Sequence, residues 1–173
     1  MMRKQARLDQ SWNGRTMDIV PLSPADRERK IKLIVARRAF QISEEQGFVP
    51  GHELENWRSA ESEILSPLCA GFTERGADLL VSTSCSHFEK GAIVIGVEPR
   101  RLTLFGTRRK STEHQDLEAD GSNLPGREIV HSLELPIEID PSRVIARFSH
   151  GMLEISLPKS RTSVATSVES RVA

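Results

Sequence analysis

The sequence predicts a two-sheet, all-β sandwich preceded by a small α-helical hairpin, and three observations carry that prediction. From Leu68 to Leu157, apolar residues recur in short alternating runs separated by Gly, Pro, Asn and Asp, which is the signature of strands and turns. Seven such runs suit two packed sheets. Between residues 23 and 66, by contrast, apolar side chains return every three or four positions, the spacing of one helix face.

Residues 1–22 come first and mix basic and polar groups around the isolated Trp12, without a period. They are expected to form a flexible arm. Ser23-Pro24-Ala25-Asp26 then supplies an N-cap serine, a proline at the first helical position and an acid where the helix dipole is positive. Ile31, Ile34, Val35, Ala39 and Ile42 line one face of this helix, and Gly47 can end it. After the turn Phe48-Val49-Pro50-Gly51, a second segment puts Leu54, Trp57, Ala60 and Ile64 on one face, before Pro67 forbids continuation. Residues 23–66 are therefore a helical hairpin, too small to stand alone without docking or self-association. Trp57 and Phe40 suit packing between its helices or against the sandwich better than recognition of a partner.

The sandwich spans residues 67–159, with strands expected over 68–73, 78–85, 92–98, 101–106, 128–135, 143–148 and 152–157. Alternation assigns Ile93, Ile95 and Val97 to one side of a strand, as it does Leu102 with Leu104, and Leu153 with Ile155 and Leu157. Residues 107–127 are polar and poor in β-branched and aromatic side chains, which predicts a long exposed loop. Residues 160–173 read as a Ser/Thr-rich flexible tail, in which Val164, Val168 and Val172 recur four apart.

Composition narrows the function. Lys and Arg total 24 and Asp and Glu total 24, so no net field draws the chain to nucleic acid or to an anionic membrane. No run approaches the ~20 apolar residues that span a bilayer. The first ten residues, with Arg3, Lys4, Arg7 and Asp9, lack an apolar leader, and Cys69 and Cys85 form no C-x-x-C pair. A reduced, cytoplasmic protein is expected. Cys85 with His87 could suggest a thiolate and a base, but no oxyanion element accompanies them, and a structural cysteine is the simpler reading. His52, His87, His114, His131 and His150 lack ligand spacing, the acids of 113–120 lack a calcium-loop pattern, and no phosphate loop is present. Neither an enzyme nor a cofactor or metal is expected. Arg108-Arg109-Lys110 reads as a solvated turn.

Ala146, Gly151, Leu153, Ile155, Pro158 and Lys159, preceded by Leu135-Pro136 and Asp140, match the hallmark of the small heat-shock (alpha-crystallin) family: an Ala, four residues, then Gly-x-Leu-x-Ile-x-x-Pro. Phe88, the run Ile93-x-Ile95-x-Val97 and Leu102 to Gly106 resemble the earlier half of that domain. The resemblance implies an immunoglobulin-like sandwich of alpha-crystallin type. Gly151 is expected in a tight turn needing positive φ, and Pro158 at a strand end. The hairpin is similar to a short bacterial domain of unknown function through Ala36-Arg37, Glu44 to Gly47, Trp57 and Ala60-Glu61.

By the family pattern, a client-binding groove lies between the strand of Ile93, Ile95 and Val97 and that of Val144, Ala146 and Phe148. The same side chains suit ordinary core. Trp12 of the arm is a second candidate client contact. The resemblance implies an ATP-independent holdase that binds partly unfolded proteins and suppresses their aggregation. Departures are local: Cys85-Ser86-His87 replaces a Leu-Pro-Gly, His131 stands where an arginine is common, and no Ile-x-Ile follows Lys159. A homodimer or small homo-oligomer is expected rather than a large cage. The alternative is a co-chaperone or adaptor of p23 type on the same sandwich.

Overall fold

The computed structural model of the protein describes residues 10–12, 15–88, 93–108 and 127–161. Its elements are β1 (Gln10–Trp12), β2 (Arg15–Pro21), α1 (Pro24–Glu45), α2 (Glu53–Ile64), β3 (Leu65–Pro67), β4 (Ala70–Arg75), β5 (Asp78–Ser84), β6 (Val94–Glu98), β7 (Arg101–Thr107), β8 (Glu128–Glu134), β9 (Ile145–Ser149) and β10 (Met152–Pro158). The expected loop and tail fall outside the described residues, apart from Thr107, Arg108, Arg127, Ser160 and Arg161. So do residues 1–9, 13 and 14 of the arm.

Helix α1 begins as its sequence dictates: the Ser23 hydroxyl accepts from the Asp26 N–H at 3.1 Å, and Pro24 opens the first turn. At its end the Phe48 N–H reaches the Ser43 carbonyl at 2.7 Å. Ile34, Val35 and Ile42 are buried, with Ile31 and Ala39 beside them. On α2 the buried face is Asn56, Ala60 and Ile64, flanked by Trp57. Leu54, expected on that face, is exposed: two residues from Asn56 is about 200° around a helix. Phe40 is also exposed, its ring centroid 5.6 Å from that of Phe48 in the turn. Arg38 joins the helices, pairing across the hairpin with Glu63 at 2.7 Å and along α1 with Glu45 at 2.9 Å.

Two sheets form the sandwich. One has six strands in the order β1-β2-β6-β7-β8-β3, the other four in the order β4-β5-β10-β9. The β2–β6 and β3–β8 pairs are parallel, and every other pair is antiparallel. The core between the sheets takes Leu79, Val81, Leu102, Leu104, Leu153, Ile155 and Leu157, the alternating positions of their strands. The opposite face of the six-stranded sheet is apolar too. Val94, Phe105 and Val130 project there and receive Ile34, Val35, Ile42, Ala60 and Ile64 of the hairpin. Three layers result, with the six-stranded sheet in the middle.

Three strands exceed the expected set: β1 and β2 from the arm, and β3. Residues 15–21, assigned to a flexible arm, form β2, because the edge of β6 supplies partners for their backbone and Met17 and Ile19 face the core. The alternation there is only four residues long, too short to stand out. The third, β3, takes Leu65–Pro67 directly from the end of α2 along β8, while the expected strand from Leu68 begins instead at Ala70. Pro141–Arg143 is a 3₁₀ turn rather than the start of a strand, capped by the Asp140 side chain.

Candidate functional site

β6 and β9 lie on the same side of the sandwich, one in each sheet. Ile93, Ile95 and Val97 of the first, and Val144 and Ala146 of the second, are all at most 4% exposed and belong to one core. Phe148 is half-buried against it. In the folded chain these side chains pack in that core. Ala146 sits opposite Ile155, and Phe148 opposite Leu153, each facing inward.

The space between β6 and β9 is closed by the chain itself. Ile19 stands beside Ile95, Val20 beside Gly96 and Pro21 beside Val97, in parallel register. The Asp18 N–H donates to the Ile93 carbonyl at 3.3 Å, and the Leu22 N–H to the Val97 carbonyl at 2.8 Å. Met17, 3% exposed, is buried in the core, whereas Asp18 and Val20 face solvent. β1 turns back on β2, and its backbone comes within 8 Å of that of β9. Trp12 is in β1, opposite Arg15, with its side chain outside the described residues. Gly96 leaves room for Leu22 on the hairpin side of β6, since a Cβ there would stand 2.4 Å from the Leu22 side chain.

The motif residues serve the turn and the strand ends. Gly151 has φ of +81° and His150 φ of 50° between β9 and β10, as a two-residue hairpin turn of right-handed twist requires. Pro158 closes β10 opposite Asp78, and the Lys159 ammonium lies 2.8 Å from Glu74. Leu135 is buried, its N–H donating to the Arg100 carbonyl at 2.9 Å. The Asp140 carboxyl is held down to about 2 by the Ser142 hydroxyl and Arg143.

Residues distant in sequence meet at the other edge of the six-stranded sheet. His87 Nε2 lies 3.0 Å from His131 Nε2, and His131 Nδ1 lies 2.7 Å from the Ser66 hydroxyl on β3. The Phe88 ring packs against both imidazoles. Burial holds both histidines below their ordinary value, aided at His131 by His87 and at both by Arg108. Forty-four positions separate the pair, so no local spacing in the sequence could have joined them. Burial pushes the Cys85 thiol up to about 11, so it is not a thiolate nucleophile at neutral pH. Among the described residues no group of three His, Cys, Asp or Glu is placed to hold a metal ion.

Two further features are structural. A cleft of about 560 Å³ is lined by Pro24, Arg27, Glu98, Arg100, Arg101 and Glu134. Within it Arg27 lies 3.2 Å from Glu98, tying α1 to the β6–β7 turn. Among the described residues no helix is long and apolar enough to cross a membrane.

Known proteins resemble the chain in two segments. Residues 74–172 match the model of the Hsp20/alpha crystallin family, and residues 26–66 match that of a protein of unknown function, DUF2934. Small heat shock protein C4 of Rickettsia felis is 26% identical over 108 residues, 62% of this chain and 66% of its own length. The chain thus matches just under two thirds of that curated relative. Among solved structures, heat shock protein 16.0 from Schizosaccharomyces pombe aligns over 57% of this chain and 77% of its own at 21% identity, with a TM-score of 0.44. The hspA of Xanthomonas axonopodis aligns over 57% and 97% respectively at 16% identity, with a TM-score of 0.43.

Proposed function

Because the chain belongs to the Hsp20/alpha crystallin family, a membership that supports a chaperone role, we propose that it is an ATP-independent holdase whose client surface is uncovered when β2 leaves β6. The supporting observation is the pairing of Asp18–Pro21 with Val94–Val97 over the apolar residues between β6 and β9. Removing β2 leaves the outer edge of β6 without partners, its other edge still paired with β7, and opens Ile93, Ile95, Val97, Val144, Ala146 and Phe148 to an extended apolar segment of a partly unfolded protein. Such a segment can add to the edge as β2 does, with backbone hydrogen bonds giving affinity without regard to sequence. In this reading Trp12 leaves with the strap and becomes a further client contact. The protein acts in the cytoplasm, as a homodimer or small homo-oligomer, without a nucleotide and without catalysis.

Light scattering from a heat- or reductant-destabilised client tests this, with the protein at equimolar amount. Suppression is expected, and Met17→Asp, which puts a charge where β2 enters the core, is expected to start it at a lower temperature. Circular dichroism must show that the variant remains folded. The closed state of the β6–β9 side also favours a second reading, a p23-type adaptor on the same sandwich. Absence of suppression by both the parent and Met17→Asp would discard the holdase and leave the adaptor.

A further inference from the structure

We propose that His87 and His131 form a two-imidazole site for a divalent transition ion of the copper or nickel kind, bound through both Nε2 atoms. The first ground is geometric. With metal–nitrogen bonds of about 2.0–2.1 Å, two nitrogens 3.0 Å apart subtend an angle of roughly 95° at one ion. That is the cis angle of a square-planar or tetragonal ion, and it is well short of tetrahedral. His87 is exposed at the surface, so the Nε2 proton that bridges the two rings in the ion-free chain can pass through water to its Nδ1 and leave a lone pair for the ion, and water can fill the remaining positions.

The second ground is the tautomer. With Nε2 of His131 turned to His87, Nδ1 is the nitrogen left for the Ser66 hydroxyl, and the Pro67 carbonyl also accepts from this ring. In the tautomer that would ligate, Nδ1 carries the proton toward these oxygens and Nε2 presents a bare lone pair. Ser66 and Pro67 thereby orient the ring as outer partners orient metal-bound histidines elsewhere. Burial also favours the neutral form of both rings, and neutral imidazole is the form that ligates.

Arg108 selects the kind of ion. Its positive charge faces both rings and opposes a dication held by charge alone, as Mg²⁺ or Ca²⁺ would be. The site therefore suits an ion that bonds strongly to imidazole nitrogen, with Cu²⁺ first and Ni²⁺ after it. Bound there, the ion would tie the segment after β5 to β8, and through Ser66 to β3, where the hairpin enters the sandwich.

The test uses the full chain with Cys69→Ser, which removes the exposed thiol, at pH 7.5. Cu²⁺ is titrated by calorimetry and by electron paramagnetic resonance, with Ni²⁺ and Mg²⁺ in parallel. One equivalent of Cu²⁺ should bind with hyperfine coupling to two nitrogens, Ni²⁺ should bind more weakly, and Mg²⁺ should not bind. His87→Gln alters an exposed ring and leaves the core untouched; it should weaken Cu²⁺ binding at least tenfold and remove the two-nitrogen pattern. His131→Gln should do the same, and His150→Gln should change neither. A copper affinity or spectrum that survives His87→Gln, or no stoichiometric binding by the parent, overturns the site.

Discussion

His131 shows how much one side chain can carry when its partners come from three segments. Its ring joins Ser66, His87 and Phe88, and burial holds its pKa below the ordinary 6.5. The folded state therefore binds fewer protons than the unfolded chain once pH falls below 6.5, and stability declines as pH drops through the lowered value. Thermal midpoints measured between pH 8 and 5 should fall for the parent and fall less for His131→Gln, which has no proton to gain; parallel curves would sink this account. Asp140 does not confuse the window, since its carboxyl titrates near 2. The histidine itself was legible as a departure from the family pattern. Its partners were not: Ser66 depends on the β3–β8 pairing, in which β3 follows a helix with only three residues of its own, and His87 and Phe88 arrive from the segment after β5.

At the scale of the element, the hairpin was readable and its placement was not. Cap, stripe and terminator stand in consecutive residues, so local rules find α1 and α2. Docking needs both faces of one sheet to be apolar, and consecutive residues Leu104-Phe105 and Ile129-Val130 supply them. A run that is apolar on both faces reads as a strand without saying what covers its second side. Arg38 is the element's internal clamp. Arg38→Met leaves the half-exposed Glu63 with Arg127 at 3.4 Å, so the loss is expected to be about 1–3 kcal/mol rather than the larger cost of a stranded buried charge. Urea unfolding measures it, and a change below a few tenths of a kcal/mol would show that the clamp contributes nothing.

For the molecule as a whole, the two edges of the four-stranded sheet are treated differently. The β9 edge of the four-stranded sheet is approached by β1, but the opposite edge, β4, has no strand beside it among the described residues and leaves Phe72 exposed. An unpaired strand edge of this kind is a template for a second chain. The small oligomer we propose is expected to use it. Phe72→Lys should then shift the mass from static light scattering toward the monomer while circular dichroism stays the same, and an unchanged mass would place the contact elsewhere. The sandwich itself was legible from alternation and from the Ala146-to-Pro158 motif. The closure of its side by β1 and β2 was not, since four alternating residues give no signal until a partner strand exists.

Only Leu22 and Ser23 separate the end of β2 from the start of α1, and Leu22 is fixed to β6 by its N–H and seated over Gly96. Strap and hairpin thus share a single hinge post. Loosening either one strains the other, and their release should be one cooperative event with a sharp thermal threshold. The holdase we propose would then behave as a thermometer with a trip point rather than a sliding scale.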